Sequence, residues 1–112
     1  MADCIFCRIA AREVPATVVT EDDEVLAIED IAPQAPVHVL VMPRRHVADV
    51  REVGDDGLLQ RVLATANRVA VLKGVADAGY RLVVNVGEDG GQEVPHLHLH
   101  VLGGRRLTWP PG

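Results

Sequence analysis

Hydrophobic residues recur along the chain with two different spacings, and each spacing predicts a type of secondary structure. From Leu58 to Ala70 they recur every three to four positions, the spacing of one buried helical face. Asp55–Gly57 precede this segment and Gly74 follows it, which suits the start and end of a helix. The segment from Cys4 to Glu13 has a similar spacing and stops before Pro15. The pattern predicts one long helix and a short N-terminal helix.

Five further segments are rich in Val, Leu and Ile and predict β-strands. They are Thr17–Thr20, Glu24–Glu29, Val37–Met42, Tyr80–Val86 and Pro95–Leu102. Short turns join most neighbouring elements, and an acidic turn between the first two strands predicts a hairpin. Because strands outnumber helices, we predict an α+β fold with an antiparallel sheet of about five strands.

Composition and charge limit what this chain can do. Its 112 residues predict a single domain, residues 1–112, and its 48% hydrophobic content is enough for a core without disulfide bonds. The net charge of -5 argues against nucleic-acid binding, which favours a basic surface. No apolar run approaches the ~18 residues of a membrane span, and the N-terminal residues show no hydrophobic signal segment. We therefore expect a cytoplasmic protein that binds neither nucleic acid nor membrane.

The chemically most informative segment contains His96, His98 and His100, which alternate with apolar residues. In a strand these three imidazoles lie on one face, about 6.6 Å apart, and the apolar residues between them enter the core. Adjacent imidazoles are mostly neutral at pH 7, which suits both metal binding and nucleophilic attack. Two functions follow from this: a zinc hydrolase with three histidine ligands, or covalent catalysis in which one imidazole attacks phosphorus.

The glycine-rich loop Gly87–Gln92, directly before the last strand, favours covalent catalysis on phosphate. Glycines free backbone N–H groups to bind an anion, and a tight turn between strands accounts for the same residues equally well. The loop lacks the Gly-Lys-Ser/Thr ending of a P-loop, which excludes that class of nucleoside triphosphatase.

Residues 96–102, with the sequence His-Leu-His-Leu-His-Val-Leu, match every position of the histidine-triad signature. The chain resembles the histidine-triad (HIT) nucleotide-binding family over nearly its whole length, including Ile31–His38 and Gly90–Val94. Its tail, Gly103–Gly112, is similar to that of the Hint branch. The resemblance implies a HIT-like fold in which two chains form a homodimer with one continuous sheet. The apolar helix face from Leu58 to Ala70 is a candidate dimer surface.

The resemblance also implies an activity. The enzyme would be a phosphoramidase that cleaves the P–N bond in conjugates of purine nucleoside 5'-monophosphates and needs no catalytic metal. By position in the motif, His98 would be the nucleophile and would form a nucleotidyl-histidine intermediate. His100 and His38 would bind phosphate oxygens and help to move protons. Trp109 would lie near the site of the partner chain and help to select leaving groups.

The family pattern further implies the residues that bind the nucleotide. Those around the phosphate are Asn85, Gly91 and the backbone of Gln92, Glu93 and Val94, together with His98 and His100. Asp30 would accept hydrogen bonds from both ribose hydroxyls, a task that suits a carboxylate. The apolar slot for the base would consist of Ile5, Phe6, Ile9, Ile28 and Ile31.

Two positions depart from the family pattern. Glu93 stands where some relatives have a serine beside the leaving group. Its carboxyl group can either protonate a departing amine or repel an acidic leaving group. Ile28 stands where an aromatic residue often stacks on the base, so we expect weaker affinity for purines.

Cys4 and Cys7 form a Cys-x-x-Cys motif with only three residues before it. A thioredoxin-like redox motif would follow a strand in a βαβ unit, and a disulfide is disfavoured in a reducing compartment. Two interpretations of the motif remain: the cysteines are free thiols, or they form half of a zinc site. Some HIT proteins hold structural zinc with such a motif and two histidines, which implies His46 and His96 as the other ligands here.

Three alternative functions stay open on the sequence. The first is a zinc-dependent hydrolase with His96, His98 and His100 as ligands. The second is a regulatory module that binds nucleotides with little turnover. The third, within the same family, is a dinucleoside polyphosphate hydrolase, against which the Trp-Pro-Pro-Gly tail argues.

Overall fold

The protein has the α+β architecture that the hydrophobic pattern predicts. The computed structural model describes residues 3–112. In chain order its elements are helix α1 (Ile5–Ala10), strands β1 (Val18–Glu21), β2 (Val25–Glu29) and β3 (Val37–Pro43), a 3-10 turn (Val50–Glu52), helix α2 (Leu58–Leu72), and strands β4 (Tyr80–Val84) and β5 (Leu99–Gly103). The predicted short N-terminal helix, the long helix and the five strands are confirmed.

The five strands form one antiparallel sheet in the order β1-β2-β3-β5-β4. Strand β5 comes last in the sequence but lies between β3 and β4, so both of its edges are hydrogen-bonded. In this register His100 pairs with Leu40, which lies two residues along β3 from His38. Diagonal neighbours of this kind are within reach of long side chains. The topology therefore brings together two histidines that are 62 positions apart in the sequence.

Alternation along β3 sorts its side chains onto the two faces of the sheet. The valines of β3 join the larger apolar core, which α2 covers. His38, Leu40 and Met42 point to the other face, where Leu40 and Met42 pack with Phe6 of α1. Since α1 is only a short helix, this second face retains an open cavity beside His38.

The last strand is shorter than predicted. It begins at Leu99, whereas the sequence pattern predicted a start at Pro95. The backbone turns at His96, and the N–H of Leu97 donates to the carbonyl oxygen of Val47, outside the sheet, at 2.6 Å. Because this donor is used elsewhere, the ladder of β5 begins only after the first two histidines of the motif.

Strand β4 also ends before its predicted boundary, at Val84 and not at Val86. The side-chain Nδ2 of Asn85 donates to the carbonyl oxygen of Gly90 at 2.7 Å and folds the following loop back on itself. The chain therefore leaves the sheet as soon as the glycine-rich loop begins.

Helix α2 uses its apolar face for the core of its own chain. Leu58, Val62, Ala66, Val69 and Ala70 on this face are all buried, most of them beneath the sheet. The buried face is therefore not available to a second chain, but Leu63, Val71 and Leu72 of the same helix are exposed, and a dimer contact through α2 stays a prediction. Within residues 3–112 no helix is both long and apolar enough to cross a membrane.

Candidate active site

A cavity of about 840 Å³ opens on the face of the sheet opposite α2. Its walls come from α1, the end of β2, the segment after it, β3, and the chain that leads into β5. Most of the predicted nucleotide-binding and catalytic residues line it, namely Ile5, Phe6, Ile9, Ile28, Asp30, Ile31, His38, Asn85, Gly91, Glu93, Val94, His98 and His100. Residues from distant parts of the chain thus surround one space of nucleotide size.

His98 is the best candidate for a nucleophile in this cavity. Its Nδ1 lies 2.7 Å from the backbone carbonyl oxygen of His96. A carbonyl oxygen can only accept, so the proton of a neutral His98 is on Nδ1 and Nε2 keeps its lone pair. The ring of Phe6 packs edge-on against His98 with centroids 5.1 Å apart and helps to hold its orientation.

His38 and His100 form a hydrogen-bonded pair next to His98. His38 Nδ1 accepts a hydrogen bond from the backbone N–H of Gln34 at 3.0 Å, so the proton of a neutral His38 is on Nε2. This Nε2 lies 2.9 Å from Nδ1 of His100, which must accept. The proton of a neutral His100 is therefore on its own Nε2. The chain of bonds leaves one N–H donor of His100 for a ligand in the cavity.

Burial keeps this pair neutral near pH 7. It lowers the pKa of His100 to about 4, with further lowering by His98 and His38, while Asp30 acts in the opposite direction. Burial also lowers the pKa of His38, again against the effect of Asp30. Neutral imidazoles can donate and accept protons without repelling each other, which suits groups that surround a phosphate.

The glycine-rich loop packs tightly against the end of β4. A Cβ atom at Gly90 would lie 2.3 Å from the carbonyl oxygen of Val86, so only glycine fits there. Gln92 does not line the cavity: its Oε1 accepts from Gly87 N at 3.0 Å and its Nε2 donates to Ala48 O at 2.8 Å. The side chain of Gln92 therefore holds the loop in place, and its backbone N–H also stays within the loop, donating to the carbonyl oxygen of Gly87 at 3.1 Å.

Asp30 lies at the edge of the cavity and already has two partners. One carboxylate oxygen accepts from the backbone N–H of Ala32 at 2.7 Å, and the other lies 3.4 Å from His38 Nε2. Among the residues predicted for the base slot, Ile28 is 4% exposed and Ile31 is 100% exposed. The slot is thus built from a buried wall and an exposed rim.

Seven cavity residues were missed by the sequence analysis: Val14, Pro15, Ala16, Glu29, Ala32, Gln34 and Leu40. Leu40 had a usable signal, because strand alternation places it on the same face as His38. Pro15 had been interpreted only as the end of a helix. The others stand in connecting segments without a motif, so only the tertiary structure reveals them.

A second group of residues, which we call the cysteine cluster, lies next to His98. It consists of Cys4, Cys7, His46 and His96, whose ligand atoms lie within 4.8 Å of one another. The two thiols lie 3.3 Å from the Nδ1 atoms of His96 and His46 respectively. His96 Nε2 lies 2.8 Å from the carbonyl oxygen of Pro43 and must donate to it, which leaves Nδ1 free of a proton and able to bind a metal. Two thiols and two imidazoles fit a closed, four-coordinate zinc site.

The zinc-hydrolase alternative loses one of its ligands here. Among residues 3–112 the histidine-containing groups with converging ligand atoms are the cysteine cluster and Asp30 with His38 and His100. His96 belongs to the cysteine cluster, and His98 belongs to neither group. The three histidines do not converge on one point in space, because His96 lies among the cysteine ligands whereas His98 and His100 line the cavity.

Residues 11–107 match the family model of the HIT domain. The chain therefore belongs to the HIT family, as its histidine motif indicated. An uncharacterized HIT-like protein of Synechococcus elongatus is 50% identical over an alignment of 112 positions, which covers 98% of this chain and 97% of that protein.

Solved structures agree with this assignment. A HIT family hydrolase from Legionella pneumophila is 54% identical, with a TM-score of 0.95 and coverage of 98% of this chain and 100% of that chain. A histidine triad protein from Clostridium difficile is 44% identical, with a TM-score of 0.93 and coverage of 96% of both chains. The sheet, the two helices and their connections are thus those of the HIT fold.

Proposed function

We propose that this protein is a nucleotide hydrolase, more specifically a phosphoramidase that acts on conjugates of purine nucleoside 5'-monophosphates with amines. One observation carries the proposal. The contact of 2.7 Å between His98 Nδ1 and the carbonyl oxygen of His96 leaves the Nε2 lone pair of a cavity-lining histidine available for attack on phosphorus.

The reaction proceeds in two displacements at phosphorus. Nε2 of His98 attacks, and the P–N bond to the amine breaks with its electron pair on the amine nitrogen, which takes up a proton. Water then attacks the nucleotidyl-histidine, gives up a proton, and breaks the new P–N bond. His98 regains its lone pair. The sum is phosphoramidate plus water giving amine plus nucleoside 5'-monophosphate.

The groups around His98 bind and polarise the phosphate. The remaining N–H of His100 donates to a phosphate oxygen, and His38 supports the tautomer of His100 through the 2.9 Å contact. The backbone N–H of Val94 adds a further donor, whereas those of Gly91 and Gln92 already donate to the carbonyl oxygens of Glu88 and Gly87 at 3.0 and 3.1 Å and shape the loop. Donors that are already in position when negative charge develops lower the barrier most effectively.

The nucleoside occupies the side of the cavity formed by α1 and the end of β2. Phe6, Ile9 and Ile28 supply an apolar wall for the base, and Ile5 and Ile31 form its rim. Asp30 accepts hydrogen bonds from the ribose hydroxyls, exchanging part of its contact with the Ala32 N–H. A wall of aliphatic side chains with one aromatic ring favours a flat purine over a small pyrimidine through buried area.

Zinc at Cys4, Cys7, His46 and His96 has a structural role in this proposal. When bound, the ion links the start of α1 to the segment that carries the nucleophile. All four of its positions are filled by the protein, so it offers no place for substrate. Cys4 and Cys7 form no disulfide, which suits a reducing compartment, and we infer a cytoplasmic location.

A homodimer completes the proposal, and the edge of β4 is a candidate surface in addition to α2. Strand β4 ends the sheet, so one of its edges is available for pairing with a second chain. The C-terminal tail lies beside this strand, since Arg81 donates to the carbonyl oxygen of Thr108 at 2.8 Å. Trp109, which is 81% exposed, then stands where it can reach the cavity of a partner.

Hydrolysis of adenosine 5'-phosphoramidate by the purified protein and by His98→Ala tests the proposal. We expect the variant to lose roughly 100- to 10,000-fold or more in kcat/KM while it binds AMP with similar affinity. Rapid quenching of the parent enzyme followed by mass spectrometry should show AMP attached to the peptide that contains His98.

Glu88→Gln is the control variant, because Glu88 is exposed and lies outside the cavity. Activity of His98→Ala within about tenfold of the parent would contradict the assignment of the nucleophile. Tight AMP binding by the parent without any turnover would instead support a regulatory binding module.

A further inference from the structure

The cavity has an unusual charge distribution for a phosphate site. Among residues 3–112 its lining contains no lysine or arginine, and its formally charged side chains are the carboxylates of Glu29, Asp30 and Glu93. Glu29 is paired with Lys73 at 2.5 Å, and Asp30 contacts the N–H of Ala32. Glu93 forms no hydrogen bond or ion pair with any residue of the part of the chain that the structure describes.

The backbone around Glu93 is held firmly on both sides. The side chain of Gln92 bonds to the carbonyl oxygens of Ala48 and Val94 at 2.8 and 3.1 Å. Val94 packs against the apolar cluster that contains Phe6. Glu93 itself is exposed, so its carboxylate stands at the cavity mouth on a well-anchored segment.

This segment lies on the phosphate side of the cavity. The apolar residues for the base come from α1 and β2, whereas Glu93 directly follows the glycine-rich loop and precedes the histidine motif. A group attached to the phosphate, and not the base, therefore comes close to Glu93. This placement depends on the nucleotide orientation given under the proposed function.

We propose that Glu93 is a specificity-determining residue that selects nucleoside phosphoramidates whose amine portion carries an additional positive charge. An ammonium group beyond the scissile nitrogen is attracted to the unpaired carboxylate. A carboxylate or polyphosphate at the same place is repelled, and no lysine or arginine of the lining compensates. The same charge disfavours dinucleoside polyphosphates, which agrees with the C-terminal tail. The inference rests on the proposed function and adds the class of leaving group.

Three conjugates of AMP that differ only in the amine test this inference. Their leaving groups are ethylenediamine, which carries an ammonium group, propylamine, which is neutral, and β-alanine, which carries a carboxylate. For the parent enzyme we expect kcat/KM to decrease in that order. Glu93→Gln should reduce the ratio of kcat/KM between the ethylenediamine and propylamine conjugates by roughly 2- to 5-fold, the size of an exposed charge pair.

Glu88→Gln is the matched control, since it removes the same charge from the adjacent glycine-rich loop, outside the cavity, and should leave the ratio unchanged. High salt should reduce the ratio of the parent enzyme toward that of Glu93→Gln, because exposed charges are screened. A ratio that is the same in the parent enzyme and in Glu93→Gln would overturn the inference even if the phosphoramidase activity is present.

Absence of turnover of all three conjugates would contradict the proposed function and not the role of Glu93. The affinities for AMP and ADP, measured by calorimetry, then test Glu93 without turnover. We expect the parent protein to bind ADP more weakly than AMP. Glu93→Gln should reduce this difference in affinity. An AMP-to-ADP ratio that does not change in the variant would overturn the inference.

Discussion

The carbonyl oxygen of His96 lies 2.7 Å from Nδ1 of His98, so one residue joins the cysteine cluster to the candidate nucleophile. The side chain of His96 belongs to the cluster through its contact of 3.3 Å with Cys4, while its backbone orients the ring of His98. Phe6 lies between the two cysteines in sequence and packs against both histidine rings. Changes at the cluster should therefore reach the active site through two routes.

The first prediction concerns zinc. We expect the purified protein to contain about one zinc per chain, and Cys7→Ser to remove it. Because a tightly bound ion stabilises the folded chain by several kcal/mol, the Tm should fall by about 10 °C or more. Metal analysis and calorimetry on the same samples measure both effects. A chelator should lower the Tm of the parent protein and leave that of Cys7→Ser unchanged; an equal effect on both would contradict the site.

The second prediction concerns Phe6, which is 6% exposed. Phe6→Ala removes a buried ring and should lower the free energy of unfolding by about 3–5 kcal/mol. Ile5→Ala is the control, because Ile5 is the preceding residue of the same helix and is 39% exposed. Urea unfolding of the parent protein, Phe6→Ala and Ile5→Ala measures the free energy of unfolding of each. A loss below about 1 kcal/mol for Phe6→Ala would show that α1 contributes little to the core.

The third prediction concerns the pH dependence of stability. Burial lowers the pKa of His100 to about 4 and also lowers that of His38, whereas both groups titrate near 6.5 in the unfolded chain. Between these values the unfolded chain binds more protons, so the free energy of unfolding should fall as the pH falls from about 6.5 toward 4. Above about pH 6.5 this contribution is fully present.

Urea unfolding between about pH 7.5 and 4.5 measures this slope. His100→Asn keeps a polar group at the position but removes the titration, so the decline in stability should be shallower. An unchanged slope in His100→Asn would mean that other titrating groups cause the decline in stability. Asp22 is one such group, because its hydrogen bonds from the N–H groups of Glu24 and Val25 lower its pKa in the native structure.

The fourth prediction compares two glycines. Gly90→Ala places a methyl group 2.3 Å from the carbonyl oxygen of Val86, so the glycine-rich loop must move. We expect a loss of stability of roughly 1–3 kcal/mol and weaker binding of AMP. Gly54→Ala is the control, since its methyl group meets nothing within 4 Å. Equal AMP affinities of the two variants would contradict a role of the loop in phosphate binding.

Much of the fold follows from local patterns in the sequence. The 3.6-residue spacing in α2 and the alternation in β3 each identify an element together with the face that it buries. The boundaries that differed were set by hydrogen bonds outside the sheet, within the following loop at the end of β4 and to a distant residue at the start of β5. Strand β5 begins late because the Leu97 N–H bonds to Val47, and no local propensity reports a partner 50 positions away.

The candidate site was recovered to a different degree for each residue. The histidine motif was recognised directly in the sequence, and the four members of the cysteine cluster were named from the family resemblance. In the structure those four residues form one cluster, and His98 and His100 line the cavity. Gln92 was named for its backbone at the phosphate, but its N–H donates to the carbonyl oxygen of Gly87 and its side chain holds the loop in place. Gln34 was missed, although its backbone N–H determines the tautomer of His38. Every residue except proline has such a donor, so the residue type does not show which one is used.

The sequence by itself determined the class of fold, the family and the residue types that can do chemistry here, because these depend on periodicity and on motif. Only the tertiary structure decided how the histidines divide their roles. Alternation predicts one row of equivalent imidazoles, but His96 turns to the cysteines, His98 to Phe6 and His100 to His38. Each tautomer depends on a hydrogen-bond partner, and those partners come from segments far away in the chain.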